Sequence, residues 1–232
     1  MKIDILTIFP KMFENVFSES MIRIAKEKKL VDINIYDIRD WTKNKHKTVD
    51  DKPYGGGSGM IMKVEPIDQA INDLIGKNNS TKSKVILLTP QGEIFKQGLA
   101  KEILDYSHLV FVCGHYEGFD ERIRKLVDME ITIGDYILTG GEIPAMVLTD
   151  ALVRLIPGVL GDSNCIVQES FENGLLEYPQ YTRPFEYKGM KVPDVLLSGD
   201  PKKINAWQEE ESIKRTKKRR PDLLKETLKI DI

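Results

Sequence analysis

Short apolar runs alternate with segments of helical period along the first 160 residues, a pattern that few folds accept. Residues 2–9 form a branched, apolar run that predicts a strand. Pro10 then opens a helix in which Phe9, Phe13, Val16, Phe17, Met21, Ile24 and Ala25 recur at helical spacing to about residue 28. Residues 31–36 alternate apolar with polar and predict a second strand, and the polar, Gly-rich stretch 41–60 predicts a long loop. Ile67, Ala70, Ile71, Leu74 and Ile75 mark a helix. Further on, the pattern predicts strands at 85–88, 109–112 and 131–133, and helices at 96–104 and 120–127. Residues 143–156 are almost wholly apolar and predict a buried helix. Strands separated by helices imply an α/β domain with a mainly parallel sheet, whose ligands sit beyond the carboxyl ends of the strands. Three loops leave those ends: 89–92, 114–118 and 134–141.

The chain has 232 residues, room for one large domain and a small appendage. Composition changes after residue 160, so the predicted organisation is a domain over 1–160, a linker over 161–168 and a small all-helical domain over 169–232. Ala206, Trp207 and Ile213 mark one helix of that domain; Leu223, Leu224 and Leu228 mark another. No apolar run reaches the roughly 18 residues of a membrane span, and no basic-then-apolar leader precedes the first strand. With only Cys113 and Cys165, these features predict a cytoplasmic protein with free thiols. The net charge of −2 excludes a globally basic nucleic-acid binder, so any RNA-binding charge must be local. His46, His108 and His115 have no companion in a metal-binding motif, and no metal site is expected.

Several segments could carry chemistry. Four glycines fall within residues 55–59 and permit close backbone approach to a ligand, yet neither a phosphate-loop nor a GxGxxG spacing is met. Residues 133–142 run from a strand into Gly140-Gly141 and a helix with Pro144 in its first turn, a turn whose exposed amides suit an adenine edge or a carboxylate. Arg154 stands in the apolar helix, four residues after Asp150, and needs either a partner or a cleft. Glu169 follows the linker, where a lone glutamate is ordinarily a solvated charge. Six of the seven residues 214–220 are basic, a phosphate-binding patch or a solvated helix end balanced by Glu209, Glu210 and Glu211.

Taken in order, 46–51, 53–60, 88–92, 112–118, 120–122, 133–142, 157–161, 178–184 and 219–221 resemble the bacterial tRNA (guanine-N1)-methyltransferases of the SPOUT superfamily, over nearly the whole chain. The resemblance implies a deep trefoil knot in the first domain, a rarity that no local argument would propose. It implies S-adenosylmethionine bound by Leu87, Leu88, Thr89, Pro90, Gln91, Gly114, Tyr116, Glu117, Ile133, Gly134, Tyr136, Ile137, Leu138, Gly140, Gly141 and Pro144. It implies methyl transfer to N1 of the guanosine at position 37 of tRNA, with Arg154 and the residue at 169 catalytic. It implies a homodimer with shared active sites and admits Mg2+ as a further requirement. The anticodon stem-loop would meet His46, Asp50, Gly55, Gly59 and Ser170, with Lys214, Arg215, Arg219 and Arg220 on its phosphates. Three positions depart from the family pattern: Glu169 stands in place of Asp, Ser58 in place of Pro and His115 in place of Arg. Two other readings stay open: the same fold with a different methylated atom, and an RNA-binding module that no longer transfers a methyl group.

Overall fold

The computed structural model describes residues 1–76, 82–161 and 168–227. Its contacts separate into two units, residues 1–161 and 162–232. Most of the predicted linker, with Cys165, and the predicted helical position Leu228 lie outside the described residues.

In the first unit, β1 (Lys2–Thr7) leads through a single 3-10 turn into α1 (Glu14–Phe17) and α2 (Ser20–Glu27). The predicted single helix is therefore broken. Glu19 is extended (φ −124°, ψ 165°) and Ser20 left-handed (φ 52°), so the apolar spacing persists while the hydrogen-bond ladder does not. Next come β2 (Asp32–Asp37), β3 (Asp50–Asp51), β4 (Ile61–Met62) and α3 (Val64–Gly76). β3 and β4 pair antiparallel, so the expected 41–60 loop is anchored near its end rather than free throughout. The unit closes with β5 (Ser83–Ile94), α4 (Gln97–Ile103), β6 (His108–Cys113), β7 (Met129–Thr132) and α5 (Glu142–Val153). The helix expected over 120–127 is one 3-10 turn, Glu121–Lys125. Only Ile123 of that turn is buried, too little apolar face to hold a longer helix.

Five strands form one sheet in the order β2-β1-β6-β5-β7, and every pairing is parallel. The pleat sends alternate residues to opposite faces, and both faces are covered. Leu109, Phe111 and Cys113 of β6 join Ile3, Ile5 and Ile86 in a core with α2, α4 and α5. Val110 and Val112 join Leu6, Val85 and Leu87 in a second core with α3. β5 runs past its predicted end at 88: Leu88 and Glu93 both lie opposite Ile131, with residues 89–92 looped out between them. Gly92 makes this detour feasible, because a Cβ there would come within 2.4 Å of the Ile131 backbone nitrogen.

The second unit contains α6 (Pro201–Arg219) and α7 (Pro221–Thr227). Asp200 caps α6, its carboxylate accepting from the Lys202 and Lys203 amides at 3.1 and 3.4 Å. The unit is not all-helical: β8 (Glu186–Tyr187) and β9 (Met190–Lys191) form a hairpin. Its turn residues Lys188 and Gly189 both adopt left-handed φ, 51° and 77°, the conformation a two-residue hairpin turn requires.

Candidate active site

The three predicted loops leave the neighbouring strands β5, β6 and β7 at the carboxyl edge of the sheet, and the last two touch. Gly141 donates its amide to the Gly114 carbonyl at 2.8 Å. A Cβ on Gly141 would come within 2.7 Å of Cys113 Cα, so the 133–141 segment rests on the end of β6 with no side chain between them. The turn at its start is local: Thr132 Oγ1 donates to the Gly134 carbonyl at 3.0 Å, and the Tyr136 amide donates to the same oxygen at 2.9 Å. Of the looped-out β5 residues, Gln91 accepts from Arg124 at 2.6 Å, while Arg124 also pairs with Glu130.

Of the predicted cofactor residues, Leu87 and Leu88 are buried in the two cores, which leaves only their backbone for a ligand. Thr89, Gly114 and Gly141 are also buried; Ile133, Gly134, Leu138, Gly140 and Pro144 are half-buried. Pro90, Gln91 and Glu117 are exposed. Tyr116, Tyr136 and Ile137 are exposed at 43, 54 and 80%.

Sequence reasoning missed the layer beneath. Glu142 is buried and accepts from Thr7 Oγ1 at 2.7 Å, while its other oxygen lies 3.9 Å from His115 Nδ1. Among the described residues, His115 Nδ1 is the buried side-chain nitrogen left without a hydrogen-bond partner. The His115 ring is packed edge-on against Phe9 and Tyr116, at centroid distances of 4.8 and 5.2 Å. The signal in the sequence was slight: a glutamate opening an otherwise apolar helix.

The Gly-rich segment is joined to the 114–118 loop. Glu117 donates its amide to the Met60 carbonyl at 3.0 Å, Met62 donates to Gly118 at 2.9 Å, and Asp120 donates to Met62 at 3.0 Å. Gly59, at φ 86°, faces the Glu117 side chain so closely that a Cβ would lie 2.4 Å from its Cγ. Gly55 has left-handed φ with open space around it, and His46 is exposed. Asp50 is half-buried; partial burial and this carboxylate raise the pKa of the Tyr116 hydroxyl. Arg154 caps the carboxyl end of α5 and is half-buried.

In the second unit, Glu169 lines a cleft of about 500 Å3 with Asn173, Tyr178, Asn205, Gln208 and Ser212. Asn205, Gln208 and Ser212 share one face of α6, a polar stripe at helical spacing that sequence reasoning passed over. The segment carrying Glu169 is clipped to α6: Ser212 Oγ donates to the Leu176 carbonyl at 2.5 Å, and the Leu176 amide donates to buried Thr216 Oγ1 at 2.8 Å. Ser170 Oγ accepts from the Glu177 amide at 3.0 Å. In the basic run, Lys214 pairs with Glu210 and Glu211 at 2.9 and 3.0 Å, and Arg220 pairs with Asp222 at 2.6 Å. Arg215 donates to the Glu177 carbonyl at 3.4 Å, and Arg219 is exposed.

A parallel sheet with loops leaving three neighbouring strands at its carboxyl edge is an α/β architecture, whose ligands generally sit at that edge. Comparison with known proteins is more specific. Residues 1–226 match the model of the family described as tRNA (Guanine-1)-methyltransferase TrmD. A tRNA (guanine-N(1)-)-methyltransferase of Dictyoglomus turgidum is 54% identical over 227 residues, 98% of this chain and 91% of that protein. A protein of the same name from Bacillus cereus is 56% identical over 227 residues, 97% of this chain and 93% of its own length. The chain belongs to the tRNA (guanine-1)-methyltransferase family, and with it to the SPOUT superfamily.

Proposed function

We propose that this protein transfers a methyl group from S-adenosylmethionine to N1 of the guanosine at position 37 of tRNA, beside the anticodon. In a chain of this family, the observation that carries the reading is that the 89–92, 114–118 and 134–141 loops leave the three neighbouring strands β5, β6 and β7 at one edge of the sheet, the last two loops tied by the Gly141–Gly114 hydrogen bond. The residues fit the donor. Tyr116, Tyr136 and Ile137 offer uncovered apolar surface, and the glycines bring backbone polar groups to the same edge. S-adenosylmethionine, when bound, supplies a methyl group already activated by its sulfonium.

The residues of the chain supply the rest. N1 of guanine carries a proton and is a poor nucleophile until that proton leaves. Glu169 accepts the proton; its carboxylate is one methylene longer than the aspartate of the family pattern but of similar basicity. Negative charge then grows toward O6, where the Arg154 guanidinium is a fixed, always-charged partner. The three loops hold donor and acceptor in line. Mg2+ is admitted as a further requirement of this reading; among the described residues no three His, Cys, Asp or Glu side chains converge to hold it.

The reading includes the trefoil knot in residues 1–160, supported by the close passage of residue 141 over Cys113 and Gly114. It includes a homodimer in which Glu169 of one copy completes the site of the other. The support is a stripe along α5, where Ile143 and Val147 are 46 and 42% exposed in a helix that the sequence predicts as buried. Residues 169–232 act as the tRNA-binding domain, 161–168 as the linker, and the setting is the cytoplasm, where tRNA is modified. His46, Asp50, Gly55, Gly59 and Ser170 meet the anticodon loop, and Lys214, Arg215, Arg219 and Arg220 meet phosphates. The test is methyl transfer to a tRNA transcript followed by nucleoside analysis. The expected product is 1-methylguanosine, formed about 10²- to 10⁴-fold more slowly by Glu169→Ala; a methylated ribose would overturn the reading.

A further inference from the structure

We propose that Phe171 is the stacking face for an unpaired base of the tRNA anticodon loop; this rests on the tRNA reading above. Phe171 lies two residues after Glu169 and is 45% exposed. Its φ is 79°, in the left-handed region, where a bulky side chain is an outlier and where strain gathers at binding sites. Core burial does not compensate the strain, because nearly half of the side chain remains uncovered. Instead the turn around it holds the ring in place. The Phe171 amide donates to the Leu175 carbonyl at 2.8 Å, and the Glu172 amide donates to the Glu169 carbonyl at 3.3 Å. Leu176, just beyond, is clipped to α6 through Ser212 and Thr216.

The neighbour of the ring indicates the occupant. The Arg220 guanidinium carbon lies 5.8 Å from the Phe171 ring centroid, and the same guanidinium is fixed by Asp222 at 2.6 Å. Arg220 ends the run in which six of seven residues are basic. An aromatic ring that is half exposed, with one arginine of a dense basic run over it, is how proteins take unpaired RNA bases: the base stacks on the open side of the ring and the phosphates go to the cations. The ring therefore orients a base beside the Glu169 carboxylate and is a positioning residue rather than a proton-transfer group.

The test compares wild type, Phe171→Leu and Phe171→Trp as full-length proteins. Stacking on one base predicts that Phe171→Leu loses about 5- to 150-fold in kcat/KM for tRNA. The loss should track tRNA affinity, with S-adenosylmethionine affinity and sedimentation unchanged, and Phe171→Trp should restore it. The fluorescence added by Phe171→Trp should be quenched by tRNA, and quenching should vanish for one member of a series of transcripts with a single abasic site at each anticodon-loop position. Quenching indifferent to every abasic site would overturn the proposal, as would a Phe171→Leu protein with wild-type tRNA affinity. A Phe171→Leu protein that loses only its dimeric mass would assign the ring to a second copy of the chain and overturn it equally. If Phe171→Leu fails to fold, the abasic series on Phe171→Trp still decides. A wild type that transfers no methyl group, while quenching still depends on one base, would sink the enzymatic reading and leave the stacking one standing.

Discussion

At the residue scale, the least expected feature is a fully buried histidine–carboxylate pair at the amino edge of the sheet, opposite the loops. His108 Nε2 lies 2.9 Å from Asp4 Oδ2, and both side chains are 0% exposed. Lys2 Nζ approaches the same carboxylate at 2.8 Å, and Asn34 donates to its other oxygen at 3.1 Å. Burial by itself raises the Asp4 pKa; hydrogen bonds from His108, Lys2 and Asn34 outweigh it and hold the carboxyl below its ordinary value. A carboxylate whose folded pKa is depressed adds stability that is complete above its unfolded pKa, near 4, and is lost as pH falls through the lower folded value. Equilibrium urea unfolding should therefore show stability falling below about pH 4, with a shallower fall in Asp4→Asn. Asp4→Ala, which leaves His108 buried without this hydrogen-bond partner, should cost about 1–3 kcal/mol at neutral pH. An Asp4→Asn protein with the wild-type acid slope would contradict this. None of the network was legible in the sequence. A charge inside an apolar strand is satisfied by partners from other strands, and strand adjacency is not written in local spacing. Glu169 was legible only through resemblance, and Phe171 not at all, because a left-handed φ at phenylalanine leaves no local signal.

At the scale of elements, the strands were the most legible part, because residues buried on both faces read as continuous apolar runs. The register and the ends were not. β5 continues to Ile94 only because Gly92 lets the chain return to β7, and the helix expected over 10–28 is broken at Ser20 by a backbone state that apolar spacing cannot express. Glycines separate structure from tolerance. Gly141 has an ordinary φ of −82°, yet a Cβ there would lie 2.7 Å from Cys113 Cα and 2.8 Å from the Gly114 nitrogen, all backbone. Gly98 in α4 has open space around its missing Cβ. Gly141→Ala should lower the melting temperature and weaken S-adenosylmethionine binding, since the 133–141 loop must lift. Gly98→Ala should stabilise by about 0.5–1 kcal/mol through helix propensity alone. Thermal melting with a binding titration checks both; a Gly141→Ala protein with wild-type melting and affinity would mean that the loop does not rest on β6 as described.

At the scale of the whole molecule, the alternation of strands and helices was enough to predict a parallel α/β unit, and the basic run was enough to suggest RNA. The hairpin of the second unit and the exposed stripe of α5 were not foreseen. A helix that is apolar on every face reads as buried, whether its cover comes from its own chain or from another copy. If the proposed dimer forms through that stripe, Val147→Glu, which places a charge in it, should sediment as a monomer and lose methyl transfer; dimers that persist with activity would move the interface elsewhere. The reaction is decided by labelled-methyl transfer to two tRNA transcripts that differ only in carrying G or A at position 37, with Glu169→Ala run in parallel. Transfer to the G transcript alone, lost in the variant, is the predicted result. Transfer to both transcripts, or to neither while tRNA still binds tightly, would contradict it.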